Sequence, residues 1–456
     1  MKGRVKIAAV SGVLLLLLLL GAGAAFAVEW NEQVLYSFQG EPNDGFWPAG
    51  GVVFDKAGNL YGATQGAGPD SCYPDSELCG LVYELSPPAK KGDPWTETIL
   101  MQFRGKESND VSLPSSGMII DGSGNLYGVS GYGGTGDCVI LGTPAGCGTV
   151  YEMSPPKRKG DPWTEAILYS FKGGNDGYSP SGNLTFDKAG NLYGATNFGG
   201  GKGNSCNEFY GGNCGTVFKL SPPNKKGGNW TEQVLHSFAG GTDGAVPNGS
   251  LVIGKKGAIY GTTPFGANQI CNYGQGQVGC GTFFELLPPN QKGRPWTEKI
   301  LHRFTNGNDG DGPSSLVLDT TGRLYGTAGG KLHVWGFVFR FALKSNRWIE
   351  SDLYDFPGGD DGEGPGGLIF DSVGNLYGVA AGGVGFYGVV FRLDRPKHGD
   401  SWTESVLYSF TQKIDGDGPE YSLIFDRRGD LYGTTDRGGT GSCSPNACGV
   451  VYEVSP

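Results

Sequence analysis

The chain has 456 residues, with 35 Lys and Arg against 45 Asp and Glu, for a formal charge of −10. An acidic balance of this size argues against a nucleic-acid partner. With 84 glycines and no 3.6-residue apolar periodicity, a helical bundle or coiled coil is excluded as well.

Residues 1–27 open on Lys2, Arg4 and Lys6, continue through an apolar stretch dominated by Leu14 to Leu20, and end on Ala25-Phe26-Ala27 before Val28. That order is a secretory signal peptide. The stretch is long enough to span a bilayer, so a retained anchor is the alternative reading. No cysteine lies near the cleavage position, which speaks against a lipid anchor, and no second span follows. A secreted or periplasmic protein is expected, without a membrane span after cleavage, its residues 28–456 forming one monomeric domain.

From Trp30 onward one unit recurs seven times, and a period of this size with four short strands per unit predicts an all-β, seven-bladed β-propeller. Each unit starts at a tryptophan (Trp30, Trp95, Trp163, Trp230, Trp296, Trp348, Trp402) with a glutamate two residues later (Glu32, Glu97, Glu165, Glu232, Glu298, Glu350, Glu404). A second strand closes on Phe54, Ile120, Phe186, Ile253, Leu318, Phe370 or Phe425, followed by Asp in six units and by Gly254 in the other. An Asp-x-x-Gly turn leads into a strand carrying Tyr61, Tyr127, Tyr193, Tyr260, Tyr325, Tyr377 or Tyr432, each followed by glycine. The last strand begins at glycine and reads Leu81-Val82-Tyr83-Glu84-Leu85 in the first copy. The apolar run before the Asp suits an innermost strand buried on both faces, which makes the Trp strand outermost. The chain then starts with an outer strand and stops after a third one, so Trp30 to Phe38 should complete the last blade and close the ring.

Ten cysteines fall into five local pairs, Cys72 with Cys79, Cys138 with Cys147, Cys206 with Cys214, Cys271 with Cys280 and Cys443 with Cys448. All lie in the loop between the Tyr-Gly strand and the strand that begins at glycine, and disulfides within each loop are the economical reading. Zinc is disfavoured because no Cys-x-x-Cys or paired His accompanies them. This loop face should also carry Asp44, Asp110, Asp176, Asp243, Asp309, Asp361 and Asp415, and be acidic. The opposite face collects Lys90, Lys91, Lys157, Arg158, Lys159, Lys225, Lys226, Lys255, Lys256, Arg427 and Arg428, and reads as a basic, solvated rim.

A residue present in every blade serves the fold, so function is sought where blades differ. The Asp-Gly-x-x-Pro loops read as turns in which Asp bonds nearby backbone N–H groups. Blades five to seven double the acid, as Asp309-Gly310-Asp311, Asp361-Gly362-Glu363 and Asp415-Gly416-Asp417. Such pairs could hold Ca²⁺ or act as acid and base on a sugar, against the plainer reading of a solvated acidic loop. Blades five and six also lack the cysteines and have shorter loops, leaving a notch beside Trp335, Phe386 and Tyr387, with Trp47, Tyr178 and Tyr421 on the same face. Aromatic rings beside carboxylates suit sugar rings and hydroxyls, and gap-filling is the alternative. Nucleophile-elbow, zinc-protease and phosphate-loop signatures are absent. His236 and His302 occupy the position of Tyr36 and read as packing variants, and His333 and His398 are isolated.

The Asn-Leu-Tyr-Gly, Gly-Thr-Val-Tyr and Phe-x-Gly-Gly-x-Asp-Gly motifs resemble the GloVer tandem repeat of secreted bacterial proteins, over essentially all of the chain after the signal. The resemblance implies export and supplies no catalytic residues. The expectation is an exported binding or scaffold module for an extracellular polysaccharide or a protein, needing no cofactor other than Ca²⁺ if the doubled acids hold it. The alternatives are a carboxylate-dependent glycan-cleaving enzyme and a purely structural propeller.

Overall fold

The computed structural model describes residues 30–40, 44–67, 79–90, 92–140, 142–201, 214–225, 227–267, 271–272, 277–291, 293–331, 334–345, 347–399, 401–412, 414–443 and 448–456. The proposed signal, residues 1–27, lies outside them. Among the described residues no helix is long and apolar enough to cross a membrane.

Seven antiparallel sheets follow one another around a central axis. In blade one the strands are Phe46–Pro48 with Val53–Phe54, Leu60–Gly66, Leu81–Ser86 and Thr96–Gln102. Blade seven contains Ile424–Phe425, Leu431–Thr435 and Val450–Ser455, and its outer strand is Asn31–Ser37 from the start of the chain. The ring is therefore closed by the first strand, as expected.

The repeated motif is a set of joints between blades. Asp187 shows how the turn works: it accepts hydrogen bonds from the N–H of Ala189 (2.8 Å) and Asn191 (2.9 Å), from Asn191 Nδ2 (2.6 Å) and from Tyr193 Oη (3.0 Å). Asp55, Asp121 and Asp371 repeat this pattern. The tyrosine ring so fixed meets two rings of the next blade. Tyr325 packs edge-on to Phe370 at 4.9 Å and to Trp402 at 6.2 Å, and Tyr377 likewise meets Phe425 and Trp30. Blade four lacks the aspartate, and there Tyr260 Oη donates instead to Glu285 at 2.8 Å. The glycine after each tyrosine leaves space for a third-strand ring: a Cβ at Gly128 would run into Tyr151, and one at Gly194 into Phe218.

Replacing Asp187 with alanine should therefore cost about 2–3 kcal/mol, because it strands several part-buried donors together. A denaturant midpoint unchanged in Asp187→Ala would show that the turn holds without its carboxylate.

One expectation about the core is corrected. Val53, Phe54, Ile119, Ile120, Ile424 and Phe425 of the innermost strands are only half-buried, whereas the second and third strands of each blade are buried nearly throughout. Near the axis the circumference is too small for large side chains, so small residues meet there: a Cβ on Gly50 would overlap the backbone of Gly117, and one on Gly249 would press on Ser314. The apolar core lies between blades, farther out.

Cys138–Cys147, Cys271–Cys280 and Cys443–Cys448 are joined within their loops. Cys79 and Cys214 are also disulfide-bonded, and Cys72 and Cys206 lie outside the described residues. The sulfurs cover the glycine that begins the loop from outer to next inner strand, at Gly40 and Gly173.

Candidate functional site

Each outer strand pairs with the third through a one-residue register shift, between Val34 and Tyr36 in blade seven and at matching places in the other six. Such a bulge turns the residues beyond it to the other face of the sheet. Glu32 thus faces the preceding blade and Tyr36 the following one, although even spacing would place both on one face. Tyr36 Oη donates to Asp44 (2.9 Å) and to Glu97 (3.0 Å) of the next outer strand. This is where the first carboxylates of the doubled loops go. Asp309 meets His302 Nε2 at 3.1 Å, Asp361 accepts from Tyr354 Oη at 3.2 Å, and Asp415 accepts from Tyr408 Oη at 2.9 Å and from the Thr411 N–H at 2.9 Å.

The facing glutamates are held protonated far above the ordinary carboxyl range. Glu97, Glu232 and Glu404 are pushed up to about 7, Glu32, Glu165 and Glu350 to about 8 and Glu298 to about 9, by burial first and by a neighbouring aspartate second. In all seven, Oε1 is buried, and the retained protons of Glu165 and Glu298 bond Asp110 and Asp243.

The second carboxylates separate from the first. Glu363 begins the inner strand of blade six opposite Ala381 and is half-buried, as is Asp311, whose carbonyl accepts the Gly329 N–H at 2.7 Å. Asp417 is buried and bridges to Arg437 through two backbone hydrogen bonds of 3.0 Å. Of the aromatic candidates, Trp335 (62% exposed) and Phe386 (71%) face solvent. Trp47 packs edge-on to Phe46 at 5.0 Å, and Tyr387 lies against the core of blade seven. Trp335 and Tyr387 stand where other blades have their second cysteine. Their carbonyls accept the Gly364 and Gly418 N–H groups, as the Cys448 carbonyl accepts that of Trp47. The Trp335 ring lies over Gly358, the loop glycine that a disulfide covers in other blades.

A cavity of about 330 Å³ lies on the axis, lined by residues of all seven blades. Most of them are serine, glycine or asparagine, such as Ser115, Ser181, Asn183 and Asn248. Blade seven differs. Following the loop proline, the blades carry Ala49, Ser115, Ser181, Asn248, Ser314 and Gly366, but blade seven carries Glu420, then Tyr421. At the end of the second strand, where blades one and three have Gln65 and Asn197, it has Asp436. Burial, the adjacent Glu420 and Asp417 push the Asp436 carboxyl up to about 7 against the opposing pull of Arg437, and its Oδ1 is buried without a hydrogen-bond partner. Glu420 is raised too, mainly by burial, although its side chain reaches solvent through the channel. Tyr421 Oη receives a hydrogen bond from Gln65 at 3.5 Å. One carboxyl that keeps its proton near neutrality beside another acid can donate to, or accept from, a hydroxylated ligand.

The family model described as the Gloeobacter/Verrucomicrobia repeat matches residues 20–275 and 269–456. The chain belongs to that family. No curated protein matches it. Solved structures similar to it include a putative oxidoreductase (glucose dehydrogenase) of Thermus thermophilus, at 16% identity and a TM-score of 0.41 over 74% of this chain and 95% of that one. Another is a gluconolactonase of Xanthomonas campestris, at 16% identity and a TM-score of 0.37 over 73% of this chain and 82% of that one. Pseudomonas fluorescens PhoX in complex with vanadate shares 11% identity at a TM-score of 0.45, over 94% of this chain and 95% of that one.

In this member of the Gloeobacter/Verrucomicrobia repeat family, two histidines do more than fill space. His236 Nε2 lies 3.4 Å from Asp243 Oδ1 and 3.7 Å from Glu298 Oε1. Among the described residues this is the one group of three with metal-ligand spacing, its donor atoms within 4.8 Å of one another. One imidazole and two carboxylates are a donor set that zinc accepts. In blade five His302 Nε2 likewise lies 3.1 Å from Asp309 and 3.4 Å from Glu350, its pKa lowered by burial. Glu420 and Asp436 escape a sequence reading that weighs acids recurring in three blades. The signal was present: aligned repeats show Glu420 and Asp436 as charges that a single blade introduces at otherwise small or neutral positions.

Proposed function

We propose that the protein is an exported binding module for extracellular carbohydrate, with its site at the channel mouth beside blade seven. The observation that carries this reading is the channel lining: hydroxyl and amide side chains from several blades around one acid, Glu420, with the raised carboxyl of Asp436 beside it. Sugar hydroxyls pair with such groups, and the cavity has the size of a small-molecule site, which spans about 300–1,000 Å³. Trp335 and Phe386, exposed on the same loop face, would stack on further units of a chain. Export rests on the signal at residues 1–27 and agrees with the disulfides.

The test is a polysaccharide and monosaccharide array, with and without calcium, using the oxidised protein. A bound sugar should lose affinity about tenfold in Glu420→Gln and in Asp436→Asn, or about 1.4 kcal/mol. Equal affinity in both variants would place the site elsewhere, with Trp335→Ala as the next probe. Silence across the array would favour a protein partner.

The elevated Asp436 carboxyl favours a second reading, glycan cleavage, because such chemistry pairs a protonated acid with an ionised one. There Asp436 would protonate the leaving oxygen and Glu420 would act as base or nucleophile. Asp436→Asn should then abolish release of reducing ends while a glycan remains bound.

A further inference from the structure

Blades five and six depart from the repeat a second time, at the blade ends opposite the channel acids. The third-strand residue after the aromatic position is Glu84, Glu152, Glu285 or Glu453 in four blades and Lys219 in blade three, but it is Arg340 and Arg392 here. The residue before the second strand is Asn59, Asn125, Asn191 or Asn375 in four blades, and Arg323 in blade five. The third strand of blade five, Phe337–Lys344, runs two residues longer than its counterpart Leu81–Ser86 and carries Lys344 near the same end. Arg395 comes from the loop after the third strand of blade six, anchored by its N–H to Asn375 Oδ1 at 2.9 Å.

Arg323, Arg340, Lys344 and Arg395 line one cavity of about 230 Å³ between the blades, walled by Tyr325 and Trp402. Among the described residues no carboxylate lines it, and Asp394 of the adjoining loop is taken by Arg392 at 2.8 Å. Trp402 differs from the other six repeat tryptophans, which are half-buried. It is 7% exposed, and its Nε1–H is buried without a hydrogen-bond partner. The chain as a whole is acidic, so a cavity whose described charged groups are all cations is a local reversal of charge.

We propose that this cavity binds an oxyanion, a phosphate or sulfate group either free or esterified to a small saccharide. Guanidinium groups offer paired N–H donors that match such oxygens. Convergent cations in a groove with low-dielectric walls concentrate positive potential there. A buried indole N–H gains an acceptor when the anion enters. The rim lysines such as Lys90 and Lys157 differ in kind, since they project from loops into water.

The experiment is titration calorimetry of the oxidised protein with inorganic phosphate, inorganic sulfate and glucose 6-phosphate, with glucose as the neutral control. Saturable heats are expected for the anions and none for glucose, weakening as salt is raised. Tighter binding of glucose 6-phosphate than of phosphate identifies an ester as the ligand, and equal binding identifies the free anion. Arg340→Gln should lower anion affinity at least about tenfold. Arg395→Gln with Lys344→Gln, at exposed side chains that the fold does not need, should do the same, while Lys157→Gln leaves affinity unchanged. The proposal is overturned if no anion binds, or if the Arg395→Gln, Lys344→Gln protein binds as tightly as the parent. Because the readout is anion affinity at the opposite end of the blades, the channel reading stands or fails separately.

Discussion

Raising the pH from about 5 to about 9 is expected to lower the melting temperature on the order of 10 °C or more, because seven glutamates must lose protons inside the fold. Their folded pKa values of about 7 to about 9 lie above the usual 4.5. The stability they contribute is thus complete below the unfolded pKa and is lost as the pH rises through the folded one. Each withdraws about 1.4 kcal/mol per pH unit over which only the folded chain keeps its proton. The turn aspartates work in the other direction. Asp187, Asp319 and Asp426 are held below the usual 3.8 by the donors around them, so their contribution is lost as the pH falls through their folded values. Stability should peak between these limits. Glu404→Gln keeps a donor facing Asp361 and should flatten the alkaline slope; a melting temperature constant from about pH 5 to about pH 9 would mean that the glutamates ionise freely in the native state.

The second large effect is expected at the ring closure. A chain starting after Phe38 loses the outer strand of blade seven, and with it the pairing of Asn31–Ser37 to Val450–Ser455. It also loses Phe38, packed on Tyr83 at 5.1 Å, and Trp30 on Tyr377. Fully burying such side chains is worth about 1.5–3 kcal/mol each, so the sum is comparable to the roughly 5–15 kcal/mol that holds a whole protein folded. The exposed edge would be Val450, Val451, Tyr452 and Val454, all buried in the closed ring. Such an edge recruits other chains. The truncated protein should appear in aggregates on size-exclusion chromatography. Moving residues 30–38 to follow Pro456 through a short turn should restore the closed ring, since Asn31 already pairs with Ser455. A soluble truncated chain with the parent melting temperature would show that six complete blades close without help.

How far the site could be read from the chain depended on whether its residues repeat. Asp309, Asp361 and Asp415 drew attention as members of doubled acids, yet the same position exists in every blade and is occupied by a joint between outer strands. Trp335 and Tyr387 stood out as rings in short loops, and both take the place of a cysteine. Glu420, Asp436, Arg323 and Arg340 are single departures, whose significance appears only once seven positions are brought around one axis or into one groove.

The order of four strands, the number of blades and the closing strand were legible in the sequence, since each depends on local patterns: Trp-x-Glu, Asp-x-x-Gly and Tyr-Gly recur whatever lies across the ring. Three matters depended on the assembled ring. The bulge at Leu35 and its six counterparts reverses the face of Tyr36 relative to Glu32, and nothing in an alternating strand signals that reversal. The narrow axis moved the apolar core outward from the innermost strands to the spaces between blades, because circumference shrinks toward the centre while side-chain volume does not. Raised carboxyls at Glu298 and Asp436 come from burial beside acids that the fold brings next to them, and desolvation is a property of packing that no residue carries alone.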